Sequence, residues 1–226
     1  MIRHHPAPEL LLDYAVGSTP EALSLIVACH ATRCTPCRAD VNRYEEIGAA
    51  LLETLEPAPA DEALLTAVMA RLDEPQAQAQ AGPPVLERQA LREKTGAKDR
   101  VIPPPLRPYL GGSVDTLPWR RVGRLFHEAR LPLPSKTVIA KLMRFSAGSV
   151  MPVHTHRGHE YTMVLSGAYK DGDDRFVPGD FDARDATHRH QPKIEEEEDC
   201  LALVVVDAPV KLTGMFGRLL NPFLRT

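Results

Sequence analysis

Apolar side chains recur three and four positions apart through the first 75 residues, which is the spacing of amphipathic helices. Gly17 is placed to end the first helix, and Ser18 or Thr19 is placed to cap the second, with Pro20 in its first turn. Four helices are predicted: residues 8–15, a second that leads to His30, a third from Pro36 to Glu53, and a fourth from Asp61 to Leu72.

The pattern changes beyond residue 75. Residues 76–105 are rich in Gln, Ala and Pro, and this composition predicts a partly extended linker. From residue 106 to 226, short apolar stretches separated by glycines predict strands, among them Thr137–Phe145, Tyr161–Leu165 and Leu201–Val206. Short strands at this spacing are typical of an all-β sandwich or barrel. We therefore predict an α+β protein of two domains, residues 1–75 and residues 106–226.

The charge balance limits the classes of partner. Lys and Arg total 27 against 30 Asp and Glu, a net charge of -3, so no general basic field is present to hold nucleic acid directly. No apolar run reaches the roughly 20 residues that a membrane-spanning helix needs. The segment Met1–Pro6 lacks the apolar core of a signal peptide. We therefore expect a cytoplasmic location without a membrane partner.

The motif His30-x-x-x-Cys34-x-x-Cys37 lies where the second predicted helix meets the third. In a reducing compartment this cysteine spacing indicates metal or redox chemistry rather than a structural disulfide. Zinc prefers four tetrahedral thiolate and imidazole ligands, so one position is left for His4 or His5. A bound zinc can stabilise a small helical domain by about 10 kcal/mol. A coexisting possibility is redox sensing, in which oxidation of the two thiols ejects the metal and loosens the helices.

A second motif, His154-x-His156-x-x-x-Glu160, lies in the strand-rich region. Side chains two positions apart on a strand point to the same side, so both imidazoles can reach one metal, and Glu160 can return to it after a short bend. The segment 185–192 offers a fourth ligand from His188 or His190. Such a set of imidazoles with one carboxylate suits Zn, Fe, Mn or Ni.

The N-terminal region also carries a family resemblance. The matching stretches are His4-His5, the turn Tyr14–Gly17, and Leu23–Ala28, which leads to the Cys-containing motif. The region resembles the zinc-binding anti-sigma domain of ChrR-type regulators. That resemblance implies four helices that wedge between the two main domains of an extracytoplasmic-function-type sigma factor and block its docking to RNA polymerase. It implies that the zinc ligands are His5, His30, Cys34 and Cys37.

Most of residues 106–216 resembles the paired motifs of the cupin family, again of the ChrR type. The match includes His190-Gln191-Pro192 and the segment Thr213–Leu220. This resemblance implies a zinc or other divalent metal held by His154, His156, Glu160 and His190, with His188 as the alternative to His190. It further implies a non-enzymatic anti-sigma factor that responds to an oxidative signal, with a small oxidant as the signal. The rival prediction is a metal-dependent cupin enzyme, a dioxygenase or isomerase, which would use open coordination sites for substrate.

Overall fold

The computed structural model describes residues 1–59, 61–73, 101–135, 137–208 and 210–212. Most of the predicted linker, residues 76–100, and the C-terminal segment 213–226 lie outside these described residues. None of the helices in the described part of the chain is long and apolar enough to cross a membrane.

Four α-helices occupy the described residues up to Asp73, at the predicted places. They are α1 (Pro8–Ala15), α2 (Glu21–Ala31), α3 (Thr35–Glu53) and α4 (Glu62–Asp73). Helix α1 begins with proline at its first position, where no N–H is needed, and Gly17 follows its end with φ +72°.

The predicted cap of α2 is wrong. Pro20 itself is the residue before the helix, in an extended conformation, and no side chain caps the helix. The Ser18 hydroxyl instead donates to the carbonyl of Asp13, 3.0 Å away, and so closes the turn after α1. The Thr19 and Ser24 hydroxyls bond each other at 2.7 Å. The two expected capping side chains therefore have other partners.

In the described residues beyond 100, twelve short strands follow two 3-10 helices, Pro104–Tyr109 and Val114–Thr116. The strands lie in three antiparallel sheets, with the orders β1-β2-β3-β11-β5-β8, β10-β6-β7 and β12-β4-β9. The predicted strands are all present, and β11 is central and buried throughout. The bounds are β1 (Arg120–Val122), β2 (Phe126–Arg130), β3 (Ile139–Phe145), β4 (His154–His156), β5 (Glu160–Ser166), β6 (Tyr169–Asp171), β7 (Asp174–Phe176), β8 (Phe181–Arg184), β9 (Arg189–His190), β10 (Lys193–Ile194), β11 (Cys200–Val206) and β12 (Val210–Leu212).

The helical region and the large sheet share one apolar core. Alternate side chains of β11 point to opposite faces, so Leu203 and its face-mates join one cluster while Val204 joins another. The Leu203 cluster includes Leu25 and Ile26 of α2, which lies against β11 and β5. Ile102, at the end of the predicted linker, is buried in the same cluster. Packing thus fixes α2 directly on the outer face of the sheet.

Candidate metal centres

The structure brings together the four residues expected to form the first metal site. We call them the N-terminal cluster: His5, His30, Cys34 and Cys37, each with a ligand atom within 4.8 Å of the others. The His5 Nδ1 atom lies 3.3 Å from both sulfur atoms, and the His30 Nε2 atom lies 3.3 Å from the Cys37 Sγ atom. His4, the alternative, lies elsewhere, with its ring centroid 4.3 Å from that of Phe176.

The local chain path explains this convergence. His30 lies in the last turn of α2, and its carbonyl accepts the Cys34 N–H at 2.9 Å, which makes the connection to α3 tight. Cys34 is the residue before α3, and Cys37 lies in the first turn. Unpaired backbone N–H groups and the positive end of the dipole at that helix start favour negative thiolates. Two helix ends and the N-terminal segment therefore supply all four side chains.

Burial sets the protonation of two members of the N-terminal cluster, His30 and Cys37. Desolvation lowers the pKa of His30 to about 4, so its imidazole is neutral at neutral pH. The His30 Nδ1 atom lies 2.9 Å from the Gly179 carbonyl oxygen, which can only accept, so Nδ1 carries the proton and Nε2 offers its lone pair. Burial, together with neighbouring Cys34, raises the pKa of the Cys37 thiol to about 12. A cation that displaces the thiol protons fits these four N and S donors, and zinc is the metal they favour.

The second predicted set also converges. We call His154, His156, Glu160 and His190 the C-terminal cluster, since their ligand atoms lie within 4.8 Å of one another. Strand β4 presents the first two histidines, and His190 of β9 lies opposite His154 in the paired register. The Nε2 atoms of His156 and His190 are 2.9 Å apart. His188 stays outside, with a 44% exposed side chain that bonds Asp185 at 2.8 Å.

Hydrogen bonds orient the imidazoles of the C-terminal cluster. The His154 Nδ1 atom donates to the Pro152 carbonyl at 2.8 Å, and the His190 Nδ1 atom bonds the Asp171 carboxylate at 2.8 Å. Both rings therefore aim Nε2 at the cluster, as metal-binding histidines with such partners do. Burial, followed by neighbouring His154, lowers the pKa of His156 to about 4. Neutral imidazoles beside one carboxylate form a donor set that fits a divalent cation.

The residues that support these ligands were not predicted from the sequence. Arg184 forms ion pairs with Asp171 at 3.1 Å and with Asp182 at 2.8 Å, and Tyr169 donates a hydrogen bond to Asp182 at 2.9 Å. Apolar and polar residues alternate on β8, in the order Phe181, Asp182, Ala183 and Arg184. This alternation predicts that the two polar side chains face the same side of the sheet. The residues that contact this polar pair depend on the order of strands in the sheet, which the alternation does not reveal.

The remaining candidate functional feature is a set of exposed apolar side chains along two consecutive helices and their connection, which we call the α3–α4 apolar surface. Only Cys37 and Val41 of α3 are buried, so the helix is held by its N-terminal part. Single exposed apolar residues are ordinary, whereas a run of them along two consecutive helices favours a role in binding a partner. The surface consists of Ile47, Leu51, Leu52, Leu55, Leu64, Leu65, Val68 and Met69.

A helical region with a Cys- and His-containing cluster, packed on antiparallel sheets with a second cluster, defines a two-part cupin-like protein. A family model described as the ChrR Cupin-like domain matches residues 111–209. Anti-sigma-E factor ChrR of Cereibacter sphaeroides is 37% identical over 224 residues, 99% of this chain and 99% of that protein. The crystal structure of Rhodobacter sphaeroides SigE in complex with the anti-sigma ChrR matches with a TM-score of 0.75 and 34% identity, covering 92% of this chain and 100% of that chain.

The chain belongs to the ChrR family of anti-sigma factors. The resemblance and the α+β organisation inferred from the sequence are therefore confirmed. Anti-sigma factors regulate transcription, so the prediction of a non-enzymatic protein is confirmed as well. The alternative of a metal-dependent cupin enzyme is not supported.

Proposed function

We propose that this protein sequesters an extracytoplasmic-function-type sigma factor through its helical region and releases it when the cupin domain meets an oxidative signal. The observation that carries the proposal is the α3–α4 apolar surface, in a chain of the ChrR family. The related ChrR protein forms a complex with SigE. The proposal extends that partnership, by class of partner, to this chain.

The geometry of α3 and α4 suits this role. Leu51 and Leu52 near the end of α3, and Leu64 and Leu65 in α4, expose most of their side chains to solvent. Burying one leucine side chain against a partner contributes about 1.5–3 kcal/mol. Several such side chains on two consecutive helices can supply the apolar centre that a stable protein interface requires.

The two proposed metal sites have different roles. We propose that the N-terminal cluster, His5, His30, Cys34 and Cys37, holds zinc, and that the C-terminal cluster holds zinc or another divalent metal. Bound zinc supplies structural cross-linking of the thiolates and imidazoles, and so fixes the start of α3 relative to α2. In this proposal the helical region spans residues 1–75, the cupin domain spans residues 106–226, and both act in the cytoplasm.

The first experiment measures binding to the sigma factor encoded beside this chain. Leu65→Asp places a charge on the α3–α4 apolar surface at a side chain that is 63% exposed, so the chain still folds. Affinity should fall at least about tenfold, since one lost leucine contact alone is worth that much. Val150→Asp is the matched control, because Val150 is 45% exposed on the strand-rich part of the chain. Absence of binding by the unaltered protein would refute sequestration.

The second experiment tests sensing. Singlet oxygen or an organic peroxide is added to the complex with the sigma factor, and release is followed by size-exclusion chromatography. His190→Ala removes one proposed ligand of the C-terminal cluster while the α3–α4 apolar surface stays intact. The variant should retain binding and lose most of the oxidant response. An undiminished response would show that the signal acts elsewhere, and the first place to look would be Cys34 and Cys37.

A further inference from the structure

The turn between β7 and β8 contacts the N-terminal cluster from the other part of the molecule. The Gly179 carbonyl accepts a hydrogen bond from the His30 Nδ1 atom at 2.9 Å. The next residue, Asp180, is 0% exposed, so its carboxylate depends wholly on partners in the protein. One side chain of the N-terminal cluster is thus oriented by the strand-rich region.

The Asp180 carboxylate accepts hydrogen bonds from three backbone N–H groups in the described part of the chain. Its Oδ1 atom accepts N–H groups of Arg3 at 2.7 Å and His4 at 3.1 Å, and its Oδ2 atom accepts the N–H group of Val177 at 2.9 Å. In the opposite direction, the Phe181 N–H group donates to the His4 carbonyl at 3.1 Å. The chain immediately before His5 is therefore held through both its donors and an acceptor.

Gly179 meets a steric requirement of the same contact. Its φ is +99°, a conformation that side-chain-bearing residues rarely adopt. A Cβ atom there would lie 2.6 Å from the Cδ1 atom of Ile2, closer than real contacts allow. Glycine therefore suits this position because of its φ, and a Cβ atom there would force the Ile2 side chain to move.

We propose that Gly179 and Asp180 form a clasp that positions His5 and His30, so that metal retention by the N-terminal cluster depends on the cupin domain. The inference rests on the proposed zinc ligands. Terminal residues are poorly ordered unless they are tied down, and Asp180 supplies that tie for residues 3 and 4. Mutation of a residue that hydrogen-bonds a metal ligand typically lowers metal affinity by about ten- to a hundredfold.

The test follows alkylation of Cys34 and Cys37 by iodoacetamide in the zinc-loaded full-length protein, mapped by mass spectrometry. Zinc protects its thiolate ligands, so the alkylation rate reports how readily the metal leaves the N-terminal cluster. Cys29 and Cys200 serve as internal references because both are fully buried. Metal at the C-terminal cluster does not contribute, since that cluster contains no cysteine.

Asp180→Asn keeps the shape of the side chain and weakens its acceptance of backbone N–H groups. Alkylation should accelerate about ten- to a hundredfold, whereas Asp174→Asn, at an exposed position of β7, should behave like the unaltered protein. Arg3→Pro removes one of the bonded N–H groups without touching the cupin domain, and Arg3→Ala retains it. Arg3→Pro should therefore accelerate alkylation, and Arg3→Ala should not.

The outcomes separate the clasp from the metal site itself. If zinc fails to protect Cys34 and Cys37 in the unaltered protein, the proposed ligand set is wrong. If zinc protects them and both Asp180→Asn and Arg3→Pro keep the unaltered rate, the clasp is refuted. Circular dichroism checks that each variant is folded, and if Asp180→Asn is not, the Arg3 pair alone decides.

Discussion

Substitution of Ile26 tests whether the helical region and the large sheet unfold as one cooperative unit. Its side chain is 0% exposed and lies in the core cluster shared by α2 and the sheet. Ile26→Ala removes every side-chain carbon beyond Cβ and costs about 2–5 kcal/mol of unfolding free energy. We expect the upper half of that range, because neighbouring cluster members Met163 and Leu203 are fully buried in paired central strands and have little freedom to close the cavity.

Denaturation in guanidinium chloride, followed by two probes, gives the measurement. Circular dichroism reports mainly the helices, and fluorescence reports Trp119, the single tryptophan, which packs against the shared core. Both transitions should coincide in the unaltered protein and shift together in Ile26→Ala. Leu52→Ala is the control, since this side chain is 68% exposed and its loss should change stability by no more than about 0.5 kcal/mol.

A loss below about 1 kcal/mol would refute the shared core as an energetic unit. So would an unmoved Trp119 transition accompanied by a shifted helical signal, because that result means that the helices unfold independently of the sheet. Leu52→Ala gives a second contrast, since it lies on the α3–α4 apolar surface. Leu52→Ala should weaken sigma-factor binding without lowering the free energy of unfolding, whereas Ile26→Ala should act mainly by lowering that free energy.

Three further outcomes are expected. His190→Ala should lose the metal of the C-terminal cluster and keep that of the N-terminal cluster, whereas His188→Ala should keep both, as measured by metal content. Asp171→Asn should lower metal affinity at the C-terminal cluster by about ten- to a hundredfold, measured by chelator competition. Zinc affinity of the N-terminal cluster should rise with pH by up to about tenfold per unit for each proton released. The sign follows from the raised pKa of the Cys37 thiol, whose proton zinc must displace; His30, with its pKa lowered to about 4, is already neutral.

Local spacing in the sequence was enough to place two ligands of each cluster together. His154 and His156 lie two positions apart on β4, and the two cysteines lie three positions apart at the start of α3, so secondary structure alone places each pair. Choosing the remaining ligands required the family resemblance. His5 and His190 were favoured on that basis, and the structure brings both into their clusters.

The supporting contacts could not be predicted because they join distant parts of the chain. The His30 to Gly179 hydrogen bond spans 149 positions, and the Arg3 to Asp180 bond spans 177. Sequence patterns show that Gly179 favours a turn, but they do not show which segment passes over it. The failed cap of α2 has a related cause, since Ser18 suits several backbone partners and the turn geometry decides among them.

The donor chemistry of the two clusters explains why the proposed functions are separated in space. Two thiols and two imidazoles can complete a tetrahedron around zinc, which leaves no position for a small molecule and favours a structural role. Three imidazoles and one carboxylate suit metals that accept additional ligands, so a metal held by the C-terminal cluster would be open to an oxidant. Strand β8 lies between the two. It begins beside Asp180, which holds the N-terminal segment, and ends with Arg184, which bonds the Asp171 partner of His190. An oxidant that reacts at the C-terminal cluster would therefore act beside a strand that is attached to the proposed zinc ligands, which would give the proposed signal a short physical route to the helices proposed to bind the sigma factor.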